Sequence, residues 1–60
     1  MVGKRVKHYR NGYCIVALKY WQQYEENAYV DWFTTDEDEA ERVRLSLARA
    51  DRMTFIIVEV

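Results

Sequence analysis

Apolar residues fall along this chain in short runs, Tyr13-Cys-Ile-Val-Ala-Leu18, Ala28-Tyr-Val-Asp-Trp-Phe33 and Met53-Thr-Phe-Ile-Ile-Val-Glu-Val60, with a weaker alternation at Val6-Lys-His-Tyr9. Runs of this length, rich in β-branched and aromatic residues, predict strands. The last is apolar at nearly every position, which predicts burial on both faces. Between the third and fourth strands the period changes: Ala40, Val43, Leu47 and Ala50 recur at helical spacing, and Leu45 lies off their stripe. Thr34-Thr35 before Asp36-Glu-Asp-Glu39 predicts the helix start, with Thr35 as cap and Asp38 answering it. The acids suit the positive end of the helix dipole, Arg49 and Arg52 suit the negative end, and the helix should run to about Ala50.

Asn11-Gly12 between the first two strands predicts a two-residue hairpin turn of type I′, which needs positive φ at both positions. That register sets His8 opposite Ile15 and Val6 opposite Ala17, and it puts Tyr9, Lys7 and Arg5 on the other side with Cys14, Val16 and Leu18. The polar stretch Gln22-Gln-Tyr-Glu-Glu-Asn27 then leads into the third strand. An even-length turn gives Trp21, Val30 and Trp32 the His8/Ile15 face and Tyr20, Tyr29, Asp31 and Phe33 the Leu18 face. An odd-length turn exchanges the third strand's faces, and sequence leaves both open. A crossover through the helix sets strand four parallel to strand one, in the order 3-2-1-4, with strand four at an edge.

The fold class that results is α+β: a single small domain of order β-β-β-α-β, with one helix packed on a mainly antiparallel three- to four-stranded sheet. The domain covers residues 1–60, with 1–8 either a weak edge strand or partly disordered. Both sheet faces carry large apolar residues and one helix covers only one of them, so the pattern implies a partner surface.

With 60 residues the chain forms one domain at most, of a size whose core gives only a few kcal/mol. One cysteine, Cys14, excludes an intrachain disulfide, and no Cys/His cluster suggests a structural zinc. Oligomerisation is the remaining staple, and a homodimer is expected through Phe55, Ile56, Ile57 and Val58. No apolar run reaches the roughly 18 residues of a membrane span, and no signal-peptide pattern follows the N-terminal charges, so a cytoplasmic location with no membrane partner is expected. The net charge of −1 hides a polarity: Lys4, Arg5, Lys7, Arg10 and Lys19 precede Glu25, Glu26, Asp31 and the run Asp36–Glu41. Such a dipolar chain is neither a uniformly basic nucleic-acid binder nor an acidic mimic of one.

Catalytic chemistry finds little support. Cys14 lies in an apolar run, where a thiol is inert, and His8 has no titratable neighbour that sequence can place. No cofactor, metal or catalytic residue is expected. The nine aromatics carry the remaining signal. Tyr24, Tyr29, Trp32 and Phe33 form the expected partner-binding set, because Tyr and Trp dominate interface hot spots. The alternative is a single-stranded nucleic-acid site in which Lys4, Arg5, Lys7 and Arg10 hold phosphates and Tyr13 stacks on a base.

Two likenesses rest on element order. Phe33-Thr-Thr-Asp-Glu-Asp-Glu-Ala40 opening a helix after three strands resembles the arm-type DNA-binding domains of tyrosine recombinases, which carry basic strands where this chain has Glu25, Glu26 and Asp31. The whole order, with Gly12-Tyr13 entering strand two and Thr35 to Glu39-Ala40 entering the helix, is similar to HicB-type antitoxins. That resemblance implies a partial RNase H-like topology that binds and blocks a small toxin. The expected function is a small non-enzymatic protein-binding module that regulates or inhibits a larger, unidentified protein, of the kind viruses and mobile elements encode. A purely structural homo-oligomer is the third reading.

Overall fold

The computed structural model describes residues 4–60, so the part of the expectation for 1–8 that concerns residues 1–3 lies outside the described residues. Three strands, β1 (Tyr13–Ala17), β2 (Trp32–Thr34) and β3 (Phe55–Glu59), form an antiparallel sheet in the order β2-β1-β3. Two helices, α1 (Leu18–Tyr24) and α2 (Glu37–Asp51), and two 3-10 turns, Val6–His8 and Glu25–Asn27, complete the domain. The α+β class and the single main helix on a small antiparallel sheet are as the sequence indicates.

The expected first strand is instead a turn. Val6–His8 coils into a 3-10 turn in which the His8 Nδ1 accepts from the Arg5 backbone N–H at 3.0 Å, and the segment's one strand-like pairing is a bridge from Arg5 to Tyr29. Gly12 follows, but only Asn11 adopts positive φ (59°), so the turn is not type I′. Gly12 is required by space: a Cβ there would lie 2.4 Å from Phe33 Cζ and 2.8 Å from the Thr34 carbonyl oxygen.

The place beside β1 is taken by the last strand, with Tyr13 opposite Glu59 and Ala17 opposite Phe55. The order 3-2-1-4 is thereby corrected: β3 lies antiparallel to β1, not parallel to a first strand. A short segment carrying Arg5, Lys7 and His8 cannot compete for the central strand with the fully apolar Phe55–Val58. β2 and β3 run the same way on either side of β1, and α2 is the crossover between them.

Leu18–Tyr24, expected as an extension of the second strand and a turn, is helical. Only Leu18 and Trp21 are half-buried while Lys19, Tyr20, Gln22 and Gln23 are exposed, an i, i+3 pattern that the β-favouring aromatics disguise. The α2 start also shifts by one residue. Asp36, not Thr35, is the cap and accepts from the Asp38 and Glu39 amides, while Thr34 Oγ1 accepts from the Asp36 amide and donates to Glu39 Oε1. The helix ends where Arg52 turns left-handed (φ 54°).

Each face of the sheet has its own core. On one, α2 brings Ala40, Val43 and Leu47 onto Ile15, Ala17 and Phe55. On the other, Val6, Cys14, Val16 and Ala28 are buried together with half-buried Tyr9, Trp21, Val30, Phe33, Ile56 and Val58 packed around them. Residues 4–10 and 18–30 therefore cover the face that the sequence pattern leaves open. Val6 lands on the Cys14 face, opposite to the hairpin register. Trp32 shares the face of its neighbour Ile15 and Phe33 that of Cys14, as the even-length turn requires, whereas Trp21 and Val30 join the Cys14 face.

Candidate interaction site

The N-terminal segment is tied to the loop after α1 by two backbone hydrogen bonds, Val6 N–H to Ala28 O and Val30 N–H to Lys4 O, both 3.0 Å. These place Arg5 against Tyr29. The Arg5 Nη2 donates to Tyr29 Oη at 3.1 Å, and its guanidinium carbon lies 5.0 Å from the ring centroid. Tyr24, the last residue of α1, and Asn27, in the following 3-10 turn, complete a cleft of about 430 Å³ with Arg5 and Tyr29.

The backbone that joins Tyr24 to Asn27 is constrained. Glu25 sits at φ 50°, ψ −124°, a region that residues with a Cβ rarely occupy, and the Ala28 amide closes the turn onto Glu25 O at 2.9 Å. Tyr24 and Tyr29 are 48% and 47% exposed, so both rings can still gain a packing partner. Among the described residues the one ion pair is Glu41–Arg44, which leaves Arg5 without a carboxylate. One of its donors serves Tyr29, and a guanidinium has others to offer a planar anion. The site can thus hold a group that pairs an acidic end with a flat or apolar body.

The expected partner-binding residues are only partly brought together. Tyr24 and Tyr29 share the cleft. Trp32 is 47% exposed but lies on the α2 side of the sheet, where its Nε1 donates to Glu39 Oε2 at 3.2 Å. Phe33 faces the other way and stacks on Tyr9, with ring centroids 4.5 Å apart and planes at 21°.

The proposed nucleic-acid set is divided as well. Lys4 and Lys7 are exposed and Arg5 belongs to the cleft, but the Arg10 Nη1 donates to the Lys7 and Tyr9 carbonyls, and Tyr13 packs on the α2 side. The Tyr13 hydroxyl is pushed above its ordinary pKa by the negative charge of Glu37, then by burial, Glu59 and Asp36. Those acids disfavour a phosphate beside it. In the expected dimer set, Phe55 is buried under α2 while Ile56, Ile57 and Val58 are half-buried.

Asn27 carries no sequence signal beyond its polar stretch, and the Arg5–Tyr29 pairing, 24 residues apart, has none at all. Cys14 is fully buried, and burial raises its thiol pKa. Among the described residues no group of three or more His, Cys, Asp or Glu side chains could hold a metal ion, and no helix is long and apolar enough to cross a membrane. The chain matches no family model, no curated protein and no solved structure. The likenesses to HicB-type antitoxins and recombinase arm domains rest on three strands before the helix, whereas two precede α2, with the 3-10 turn Val6–His8 in the first strand's place and α1 between β1 and β2.

Proposed function

We propose that this chain is a small non-enzymatic protein-binding module, a cytoplasmic regulator or inhibitor of a larger protein encoded by a virus or mobile element. The observation that carries the reading is the cleft of Arg5, Tyr24, Asn27 and Tyr29, in which an arginine lacking a carboxylate lies against one of two half-exposed tyrosines. Tyrosine and arginine supply rigid contact area and directional donors at protein interfaces. The chemistry fits a partner loop that presents an aspartate or glutamate next to an aromatic or aliphatic residue.

Selection of a displayed random-peptide library on the immobilised protein tests this. Peptides that combine an acid with an apolar neighbour should be enriched, and Tyr24→Ala and Arg5→Glu should each weaken the best of them at least tenfold while circular dichroism stays unchanged. Enrichment without an acid, or binding indifferent to both substitutions, rejects the site. Turnover of substrate by the pure protein rejects the non-enzymatic reading.

The second reading, a single-strand nucleic-acid binder, draws on the same Arg5 and tyrosines with exposed Lys4 and Lys7 nearby in sequence. It requires affinity for single-stranded oligonucleotides that falls steeply with salt, with an exponent of about 0.7 per phosphate neutralised. Binding of acidic peptides in preference to oligonucleotides at physiological salt decides against it.

A further inference from the structure

Among the described residues the outer side of β3 pairs with no other strand. Its register on β1 and the paired Gly12/Val60 amides and carbonyls (3.2 and 2.9 Å) fix the alternation: Ile56, Val58 and Val60 turn their main-chain groups toward β1. Phe55, Ile57 and Glu59 therefore turn theirs outward. Among the described residues only Arg44 reaches them, its Nη1 donating to Phe55 O at 3.3 Å. Within the strand, half-buried Ile56, Ile57 and Val58 carry none of the charges that normally discourage pairing; the charges at this edge are Glu59 at its end and the Arg44 guanidinium at Phe55.

We infer that β3 pairs antiparallel with β3 of a second copy of this chain about a twofold axis at Ile57, giving a continuous six-stranded sheet in which Arg44 faces the partner's Glu59. The inference is independent of the cleft. Centring on Ile57 makes each outward group its own complement: Ile57 pairs with its copy, and Phe55 with the partner's Glu59. The Glu59 side chain lies on the α2 side, as Ile57 and Phe55 do by alternation. Opposite Phe55 it meets Arg44, held at that edge by Glu41 and by the Phe55 carbonyl, so the one acid on the strand shares across the axis a guanidinium that already pairs with Glu41 and still has N–H groups to donate. Twofold symmetry repeats the pair.

A mixture of isotope-labelled and unlabelled protein provides the test. The non-hydrogen-bonded positions of this register are Ile56 and the partner's Val58, whose Cα hydrogens face each other. The expected results are twice the chain mass by light scattering, an intermolecular nuclear Overhauser effect between those hydrogens, and exchange protection of the Ile57 and Glu59 amides that disappears on dilution. Glu59→Arg should weaken dimerisation about tenfold by turning two attractions into repulsions, and adding Arg44→Glu should restore most of it. A monomer at millimolar concentration, a dimer lacking the Ile56–Val58 effect, or a Glu59→Arg variant that dimerises as before overturns the inference.

Discussion

Replacing Gly12 with alanine should destabilise the domain by about 2 kcal/mol, within the range for overpacking a tight site. The added methyl would lie 2.4 and 2.7 Å from Phe33 Cζ and Cε1 and 2.8 Å from Thr34 O. The ring cannot swing aside freely because it is stacked on Tyr9, and the carbonyl belongs to β2, which is registered against Tyr13–Ile15. Relief must come from shifting β2 or breaking the stack, on the second core face that residues 4–10 help to close. With a urea m-value of about 1 kcal/mol/M for so small a domain, the denaturation midpoint should fall by roughly 2 M. Thermal melting should drop by about 8–16 °C. Phe33→Leu should be destabilising alone but less so in the Gly12→Ala background, because it removes the ring atoms that collide. A Gly12→Ala midpoint within about 0.3 M of the parent refutes the close packing of Gly12 against β2.

Other outcomes follow from the same geometry. Asp36→Ala removes the side chain that accepts from the Asp38 and Glu39 amides and should cost about 1 kcal/mol by thermal denaturation; an unchanged melting point contradicts the cap. Glu25→Gly should raise stability by about 1 kcal/mol by relieving its positive φ, and a loss in the same assay means the backbone there is unstrained. Cys14 should resist a thiol reagent in the native protein and react at the rate of unfolding, so prompt modification at neutral pH contradicts its burial. The Glu41 carboxyl is held below its ordinary pKa chiefly by its hydrogen bond to Arg44, so its contribution is present at neutral pH and fades as pH falls through its folded value. The carboxylate is exposed, so Glu41→Gln should flatten the acid limb of a stability-versus-pH curve only slightly, and a variant that loses stability more steeply in acid contradicts the assignment.

Much of the scaffold is legible in the chain. β3 follows from its continuous apolar run and the stripe of α2 from helical periodicity, and both signals survive because both elements bury against the same central strand. The elements that read wrongly are those on the second face. Val6–His8 looks like a strand because three residues cannot reveal a period, and Leu18–Tyr24 looks like one because aromatics favour β structure wherever they sit. Both errors have one physical source: the coverage of that face depends on contacts between residues far apart in sequence, such as Val6 with Ala28 and Arg5 with Tyr29. The same holds for the candidate site. Its tyrosines stand out by type, but Arg5 joins them only through a bridge between segments, and the α2 face separates Trp32 from the set.

The account's central claim is that Arg5, Tyr24, Asn27 and Tyr29 form the contact surface, and amide shift mapping on titration with the tightest acidic display-selected peptide tests it most directly. The predicted result is saturable shifts concentrated at Arg5, Tyr24, Glu25, Asn27 and Tyr29. Shifts confined to β3 or to the first turn of α2, with the cleft unmoved, would contradict it.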